Sequence, residues 1–458
     1  MGFWITIAYI VLTYLSPDTL TPSLAPYRPV LILGICGLLA SSFTLVSGKS
    51  PLLRARQTYL MVGLILAVFF SEIVHLWFGG LLFAADVFLP SAILYFLVAI
   101  NVNNWQRLRG TVATVVVSAL ILLAQSLWAY YHYNGSGSLF IFQQPLYNGE
   151  TFMGVVPRIR SVGSLSDPND FAQFLLVTVP LLGLLWRSGR LGRNLIVVIL
   201  CALLLFGIFL THSRGGLVAF VILLLVFLRR RVGHIASAVI TGGTFMAALA
   251  LNFTGSRGLS IDAGIDRLAI WSDGLALFMH SPLFGVGFGQ FTQTSAQTAH
   301  NSFLLCFTEL GLLGFFFWTG LLVVTVFELS SLLERKMPAV SVNSKAGLFS
   351  MPLLSTERST NRTVPRARTE ASDMQRWAQA LRLSLLAFVA TGWFLSRTYV
   401  AMPYLLVGLA VSLRGLAAAE IAAPEESKTR RNWIAVTLAA MVSVILLVYL
   451  SVRIRVFG

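Results

Sequence analysis

The chain has 458 residues, of which 57% are hydrophobic and only 11% are charged, and its mean hydropathy is +0.80. This composition excludes a single soluble domain and predicts an integral membrane protein. The formal charge of +15 would indicate a nucleic-acid partner in a soluble protein, but here the basic residues lie mainly in short loops between apolar runs. The charge therefore indicates membrane orientation, and no nucleic acid is expected as a partner.

Thirteen apolar runs follow one another along the chain. Their bounds are about 3–16, 29–48, 57–77, 80–101, 109–131, 171–187, 195–212, 215–229, 234–252, 302–328, 381–396, 399–414 and 431–452. A helix needs roughly 20 residues to cross the hydrocarbon core, and several runs are shorter, so we expect 11 to 13 transmembrane helices. The predicted fold class is an all-α, polytopic membrane helix bundle whose outer loops carry short surface helices. The first run has no basic segment ahead of it and no convincing cleavage site, which favours a retained span.

Basic residues fall in alternate loops and place those loops, with the N-terminus, in the cytoplasm. They are Lys49, Arg54, Arg56, Arg107, Arg109, Arg187, Arg190, Arg193 and the run from Arg229 to Arg231. The opposite face receives the long loops 133–170 and 253–300, the turn 211–216 and the turn at Arg397. Thirteen spans would also place Arg453 and Arg455 on that outer face. This misfit indicates that one short run does not cross the membrane.

Four regions follow from this organisation. Residues 1–132 hold the N-terminal transmembrane helices, 133–330 form a core with both long outer loops, and 381–458 hold the C-terminal transmembrane helices. Between them, residues 331–380 are rich in Ser, Thr, Arg and Pro, which predicts a basic, disordered cytoplasmic loop. A solvated linker is the favoured interpretation of this loop, with a regulatory role or binding of anionic lipid headgroups as the alternative.

The first polar cluster on the outer face covers residues 156–172 and leads into a span. Asp167 or Asn169 fits a helix cap, and acidic residues suit the positive end of a helix. Arg158 and Arg160 gain nothing from that helix end. An anionic ligand would explain them, because guanidinium groups match phosphate oxygens in a bidentate fork.

Two further clusters follow on the same face. In the turn 211–216, Arg214 either extends to the lipid headgroups or clamps a phosphate. Over residues 264–291, apolar side chains recur every three to four positions and predict an amphipathic surface helix that carries Arg267 and stops near Pro282. The glycine-rich Gly-Val-Gly-Phe-Gly run after it follows no strand, so a tight turn or close backbone approach to a ligand is favoured over a dinucleotide site.

The fourth cluster is the stretch 285–314, a glycine-rich loop that passes through His300 and Asn301 into an apolar helix containing Glu309. An Asn at a helix start is commonly a cap, so a structural role is one interpretation of the His300-Asn301 pair. Catalysis is the other, because imidazole titrates near neutral pH. The three cysteines lie far apart inside apolar runs, and neither a disulfide framework nor a metal site is predicted from them.

These clusters together resemble the O-antigen ligase-like superfamily, which contains lipopolysaccharide O-antigen ligases and Wzy-type polysaccharide polymerases. The residues that carry the resemblance are Arg160, Gly163, Asp167-Pro168-Asn169 and Ala172; Ser213-Arg214-Gly215; Arg267, Trp271 and Ser281 to Gly287; and His300-Asn301, Glu309, Gly311-Leu312 and Gly314. The resemblance covers about residues 155–330. Each motif alone has low specificity, and it is their order on one predicted face that makes the resemblance specific.

The resemblance implies a multi-pass inner-membrane glycosyltransferase of the GT-C type with its active site facing the periplasm. Such an enzyme takes a glycan from an undecaprenyl-diphosphate carrier and joins it to an acceptor hydroxyl, on lipid A-core or on a second glycan chain. By the same implication it inverts the anomeric centre and needs no metal or other cofactor. Outer arginines, rather than a metal ion, would stabilise the diphosphate leaving group.

The resemblance also implies roles for single residues. Arg160 and Arg267 bind the diphosphate, with Arg214 and Arg158 as further candidates, and His300 orients or deprotonates the acceptor hydroxyl. Asn301, Asn169 and Glu309 support the site, and Glu309 either holds His300 or closes a polar network inside the bundle.

Two other classes of protein stay open at the level of sequence. A flippase or transporter for lipid-linked sugars would carry charged residues deep in several spans and two similar halves. The spans offer mainly Glu72, Asp86 and Glu309, and the halves are unlike. A non-catalytic scaffold would leave the outer arginines without a purpose. Within the favoured class no residue distinguishes a ligase from a polymerase, and we lean slightly to a polymerase.

Overall fold

The computed structural model describes residues 1–46, 50–135, 137–148, 151–187, 189–251, 253, 262–295, 297–334, 363–420 and 432–457. Within these residues the chain forms 17 α-helices and a two-stranded antiparallel sheet. The first helices are α1 (Gly2–Leu15), α2 (Pro17–Leu20), α3 (Pro29–Val46), α4 (Arg56–Val74), α5 (Phe78–Val87), α6 (Leu89–Asn101) and α7 (Trp105–Tyr131). The sheet follows as β1 (Ile141–Asn148) and β2 (Thr151–Ile159).

The remaining helices come after the sheet. They are α8 (Pro168–Leu182), α9 (Leu191–Leu210), α10 (Arg214–Val232), α11 (His234–Ala250), α12 (Asp262–His280), α13 (Phe291–Thr294), α14 (Ser302–Glu334), α15 (Thr363–Gly392), α16 (Ala401–Glu420) and α17 (Trp433–Phe457). The protein is therefore a polytopic helical membrane protein, and the predicted fold class is confirmed.

Eight helices in the described residues are long and apolar enough to cross a membrane. The number is nine if α5 and α6, which are bent by 46° relative to each other, form one broken span. Both counts are lower than the 11 to 13 expected, because α1 and α11 have only 14 and 17 residues where roughly 20 are needed. Helix α10 ends in a run of arginines, and the first half of α15 is polar.

Helix α14 lies at the centre of the bundle, where it packs against α4, α12, α15, α16 and α17. Large side chains along it, including Phe307, Phe315 and Trp318, are at most 1% exposed. By contrast, only 17% of the apolar window of α17 is buried, as expected for a helix that faces lipid. The core therefore surrounds the helix that begins beside His300.

The outer loop 133–170 contains a β-hairpin, which the sequence analysis did not predict. Strands β1 and β2 pair in antiparallel register, with Ile141 opposite Ile159 and Phe142 opposite Arg158. Aromatic and β-branched residues in both strands favour this structure. The sequence Asn148-Gly149, which starts at the last residue of β1, is a recognised hairpin signal, but it was not used to predict the sheet.

The other long segments agree only partly with expectation. Helix α12 is the helix predicted from the apolar spacing, and it ends two residues before Pro282. Residues 254–261 of the same loop lie outside the described residues. Helix α15 begins at Thr363, so residues 363–380 of the segment predicted to be disordered are helical. Contacts such as the bond from Gln375 Nε2 to the Leu333 carbonyl, 3.5 Å, fix this helix to α14, and residues 335–362 lie outside the described residues.

Candidate functional site

His300 lies immediately before α14 in a left-handed backbone conformation, with φ +47°. This conformation is uncommon for a residue other than glycine. Asn301 is buried and caps the helix, because its Oδ1 accepts from the N–H groups of Phe303, at 2.9 Å, and Leu304, at 3.1 Å. Asn301 therefore fills the capping role that the sequence allowed for the His300-Asn301 pair. His300 is half-buried and has no hydrogen bond to any described residue, so its ring is available to a ligand.

Helix α12 is fixed beside His300 by two polar contacts. Trp271 Nε1 donates to the carbonyl of Ala299, at 3.1 Å, and Thr308 Oγ1 donates to the carbonyl of Gly274, at 3.2 Å. Arg267 lies four residues before Trp271, on the same face of the helix. The docking of α12 on α14 therefore brings the Arg267 guanidinium toward His300.

Arg214 enters the site from the turn between α9 and α10. Ser213 caps α10, since its Oγ accepts from the Gly216 N–H at 3.2 Å, and Arg214 is the first residue of the helix. Its charge acts on Arg267, so the two guanidinium groups are within electrostatic range of each other. Arg267 is half-buried and makes no hydrogen bond or ion pair with any residue in the described part of the chain.

The electrostatics of the site favour an anion. Burial lowers the pKa of Arg267, and the nearby charge of Arg214 lowers it further. Burial also lowers the pKa of His300; Arg267 lowers it further, while Asp167 raises it. Two cations held close together in a partly desolvated place repel each other, and a bound anion relieves that repulsion. The lowered pKa favours the neutral imidazole of His300, next to a place suited to phosphate.

The guanidinium of Arg158 is hydrogen-bonded to protein groups from three segments around the site. It is 2% exposed, and its guanidinium donates to the Thr211 carbonyl at 2.7 Å, to Asn169 Oδ1 at 3.0 Å and to Gln144 Oε1 at 3.2 Å. These bonds join β1 and β2, the start of α8 and the turn that carries Arg214. Asn169 in turn donates its N–H to Asp167 Oδ1, at 2.7 Å, and Asp167 caps α8 as the sequence predicts.

Arg160 lies next to this frame and is only half-buried. Its Nε donates to the Leu139 carbonyl at 3.0 Å, its Nη1 donates to the Ser166 carbonyl at 3.3 Å, and its guanidinium lies 5.8 Å from the centre of the Phe142 ring. Ser166 precedes Asp167, the carboxylate that acts on His300. Arg160 thus borders the site, while Arg214, Arg267 and His300 converge within it.

The glycine-rich loop packs against a break in α14. Gly311 interrupts the helix with φ +63°, and the loop hydrogen-bonds across the break, for example from Val286 N–H to the Thr308 carbonyl at 2.9 Å. A Cβ at Gly285, also at positive φ, would clash with the Glu309 backbone, and one at Gly311 would clash with the Leu283 backbone. The glycines therefore serve close backbone packing, one of the two explanations that the sequence left open.

Glu309 belongs to the same break. It is 2% exposed, and its Oε1 accepts from the Phe291 N–H at 3.3 Å. The hydroxyl of Tyr399 lies beside its carboxylate. Of the two roles expected for Glu309, the structure shows the polar network inside the bundle and no bond to His300.

The sequence interpretation missed a buried ion pair beside the site. Arg397 Nη1 donates to Asp170 Oδ2 at 2.9 Å, and the two side chains are 11% and 18% exposed. The N–H of Arg397 donates to Ser302 Oγ at 2.8 Å, one residue after Asn301. The available sequence signal was that Arg397 stands alone between two apolar runs, where an arginine needs an anionic partner. In the described residues, no group of three or more His, Cys, Asp and Glu side chains is arranged to hold a metal ion.

The comparisons with known proteins cover the part of the chain that forms this site. The O-antigen ligase family profile matches residues 199–319, the part of the chain that contains Arg214, Arg267 and His300. The chain is also 23% identical to a "ComP-specific O-oligosaccharyltransferase" of Acinetobacter baylyi strain ADP1, over 73% of this chain. That alignment covers 62% of the relative, which is less than two thirds of its length. The family resemblance of the sequence motifs is thereby confirmed.

Proposed function

Residues 199–319 match the O-antigen ligase family profile, and on that premise we propose that this membrane protein transfers a glycan from an undecaprenyl-diphosphate carrier to an acceptor hydroxyl. The observation that carries the proposal is the convergence of Arg214 and Arg267, two mutually repelling guanidinium groups, with the neutral imidazole of His300. A diphosphate supplies negative charge that compensates the two guanidinium groups. The active site faces the periplasm of a bacterial inner membrane in this proposal.

In the proposed reaction the arginines bind the donor diphosphate, with Arg160 at the border of the same site. The bond between the anomeric carbon and the phosphate oxygen breaks, and negative charge grows on the leaving diphosphate. Guanidinium groups that are already in place stabilise that charge. His300 accepts the proton of the acceptor hydroxyl as its oxygen attacks the anomeric carbon from the opposite side. The products are an inverted glycosidic bond, undecaprenyl diphosphate and a proton that His300 returns to water.

This proposal assigns the charge stabilisation to the arginines and so requires no metal ion. The remaining candidates position the site. Arg158 and Asn169 hold the turn that carries Arg214. Asn301 fixes the start of α14, and Glu309 holds the glycine-rich loop. The acceptor is a second lipid-linked glycan in a polymerase or lipid A-core in a ligase. The name of the Acinetobacter relative adds a hydroxyl on a protein as a third acceptor to test.

The test is product formation by purified variants with a labelled undecaprenyl-diphosphate oligosaccharide in the presence of a chelator. Replacing Arg160, Arg267 or His300 with Ala is expected to lower the rate by roughly 100-fold or more, the effect of losing one oxyanion-stabilising donor or a general base. Full activity in all three variants would refute the assignment. Release of the labelled lipid unchanged, with transport across liposomes, would favour the flippase alternative.

Arg28 offers a matched control for the arginine variants. It lies on the same end of the bundle, because its partner Asp86 is on α5, whose Phe83 ring lies 5.8 Å from the Phe288 ring of the glycine-rich loop. Arg28 Nε lies 3.4 Å from Asp86 Oδ1, and the side chain of Arg28 is 58% exposed. Arg28→Ala therefore removes an arginine from the same face without touching the proposed site, and it should keep full activity.

A further inference from the structure

A second group of arginines lies at the opposite end of the bundle from His300. Helix α9 connects the two ends: it starts at Leu191 and finishes at Leu210, beside the Thr211 carbonyl that binds Arg158. Twenty residues of α-helix span about 30 Å. We name this group the arginine cluster. Its members are Arg109, Arg187, Arg190, Arg193 and Arg376.

One carboxylate, that of Asp373, pairs with three of the five arginines. Asp373 Oδ1 lies 2.7 Å from Arg187 Nη1 and 3.4 Å from Arg376 Nη1, and its Oδ2 lies 3.9 Å from Arg109 Nη2. Arg190 and Arg193 have no carboxylate partner in the described residues, and both are exposed. The charge of Arg193 is within range of Arg187, Arg190 and Arg376. Counting only side chains that the structure describes, the five arginines and Asp373 leave the cluster a net positive charge of four.

The fold brings these side chains together from three distant parts of the chain. Asn194 closes the loop before α9, since it accepts from the Arg187 N–H at 2.9 Å and donates to the Arg187 carbonyl at 2.8 Å. Arg376 on α15 donates to the Trp186 carbonyl of the same loop. Membrane orientation needs positive residues on one face but does not require them to be packed around one carboxylate. Their mutual repulsion is compensated if an anion binds among them.

Apolar side chains border the cluster. Trp186, Leu191 and Leu195 are 45%, 86% and 60% exposed, and they continue the lipid-facing side of α9 from the level of the arginines. A ligand that satisfies both surfaces has an anionic phosphate group and an apolar chain. This combination is the chemistry of an anionic phospholipid, and basic groups at the end of a helix bundle attract such headgroups.

We propose that the arginine cluster binds the phosphate headgroup of an anionic phospholipid in the membrane leaflet opposite the His300 site. Arg187 and Arg376 are held by Asp373 and shape the site, and Arg190 and Arg193 contact the phosphate. Acyl chains lie along Trp186, Leu191 and Leu195. The proposal is independent of the glycan-transfer chemistry at the other end of the molecule.

The test measures lipid retention by native mass spectrometry and thermal unfolding in detergent, with phosphatidylglycerol or phosphatidylcholine added. The variant is Arg190→Gln/Arg193→Gln. In the wild type, neither arginine side chain makes a hydrogen bond or ion pair with a described residue, so the variant should keep the fold. Arg54→Gln/Arg229→Gln is the matched control, because it removes two exposed arginines from the same end of the bundle. Phosphatidylglycerol should raise the unfolding temperature of the wild type and the control, and phosphatidylcholine should not.

In the variant, we expect affinity for phosphatidylglycerol to fall roughly 30-fold, the effect of two cations near a membrane phosphate. Unchanged affinity in the variant, or an equal loss in the control, would overturn the proposal. Inorganic phosphate and pyrophosphate at the same concentrations form a further arm. Stabilisation by these salts equal to that by the lipid would also overturn it, because the site would then bind a soluble phosphate.

Discussion

At the scale of single residues, His300 links the structure to a measurable pH dependence. Burial and Arg267 hold the pKa of His300 below its ordinary value, and Asp167 opposes them. A histidine with a lowered pKa becomes protonated only at more acidic pH, so the general base should stay competent throughout the neutral range. The rate of glycan transfer should therefore fall only when the pH drops below the ordinary titration range of histidine.

Asp167→Asn tests that assignment. The amide keeps an oxygen that can cap α8, while the negative charge that raises the pKa of His300 is lost. The acid limb of the pH–rate profile should move to lower pH. A limb that stays in place, or moves to higher pH, would show that His300 is not the group that controls it.

Arg158 and Arg267 should differ in their effect on stability. Arg158→Met removes three hydrogen bonds from a charged donor in a buried place and leaves their acceptors unpaired, which should lower the free energy of unfolding by about 2–4 kcal/mol. Arg267→Ala removes a cation that no described residue neutralises, so stability should be unchanged or slightly higher although activity is lost. Thermal unfolding in detergent separates the two cases, and an equal loss for both would contradict the functional assignment of Arg267.

At the scale of elements, the break in α14 depends on two close backbone contacts. Gly285→Ala or Gly311→Ala would place a Cβ against backbone atoms at a positive φ. The left-handed conformation alone costs about 1–2 kcal/mol, and the clash adds to it. We expect both variants to give little folded protein in size-exclusion chromatography. Gly243→Ala on α11, where a Cβ meets no atom within 4 Å, should behave like the wild type.

The ion pair between Asp170 and Arg397 joins the start of α8 to the turn before α16. Removing one partner leaves a buried charge and should cost about 3–5 kcal/mol. The double variant Asp170→Leu/Arg397→Met leaves no unpaired charge and should recover much of that stability. A double-variant cycle with no coupling energy would show that the pair does not hold these elements together.

Local sequence signals predicted some of these elements well. The apolar spacing of α12, the stop before Pro282 and the caps at Asp167 and Asn301 are all short-range features, and the structure has them. The hairpin was missed because strand pairing is non-local, although Asn148-Gly149 was a usable signal. The ion pair of Asp170 with Arg397 joins residues far apart in sequence, and no pattern within either segment encodes it.

The same distinction explains the site. The order of the motifs indicated the family and the candidates His300, Arg160 and Arg267, with Arg214 and Arg158 as further candidates. It did not distinguish Arg158, whose guanidinium is consumed by protein acceptors, from Arg267, which has none in the described residues. That difference depends on which polar groups the fold places around each side chain, so it becomes visible only in three dimensions.

At the scale of the whole molecule, two groups of arginines lie at opposite ends of the helix bundle. At one end, Arg214 and Arg267 converge on His300 beside the start of α14. At the other end, the arginine cluster surrounds Asp373. We propose a reacting diphosphate at the first end and a phospholipid headgroup at the second, so variants at one end should leave binding at the other end intact.

The most direct test of the central claim offers a labelled undecaprenyl-diphosphate oligosaccharide to the purified protein, first alone and then with lipid A-core or a protein acceptor. We expect transfer of the glycan in at least one condition, with chelator present, and loss of that transfer in Arg267→Ala and His300→Ala but not in Arg28→Ala. Longer chains without an added acceptor would identify a polymerase. Labelled donor recovered intact in every condition, or full transfer by both site variants, would contradict the account.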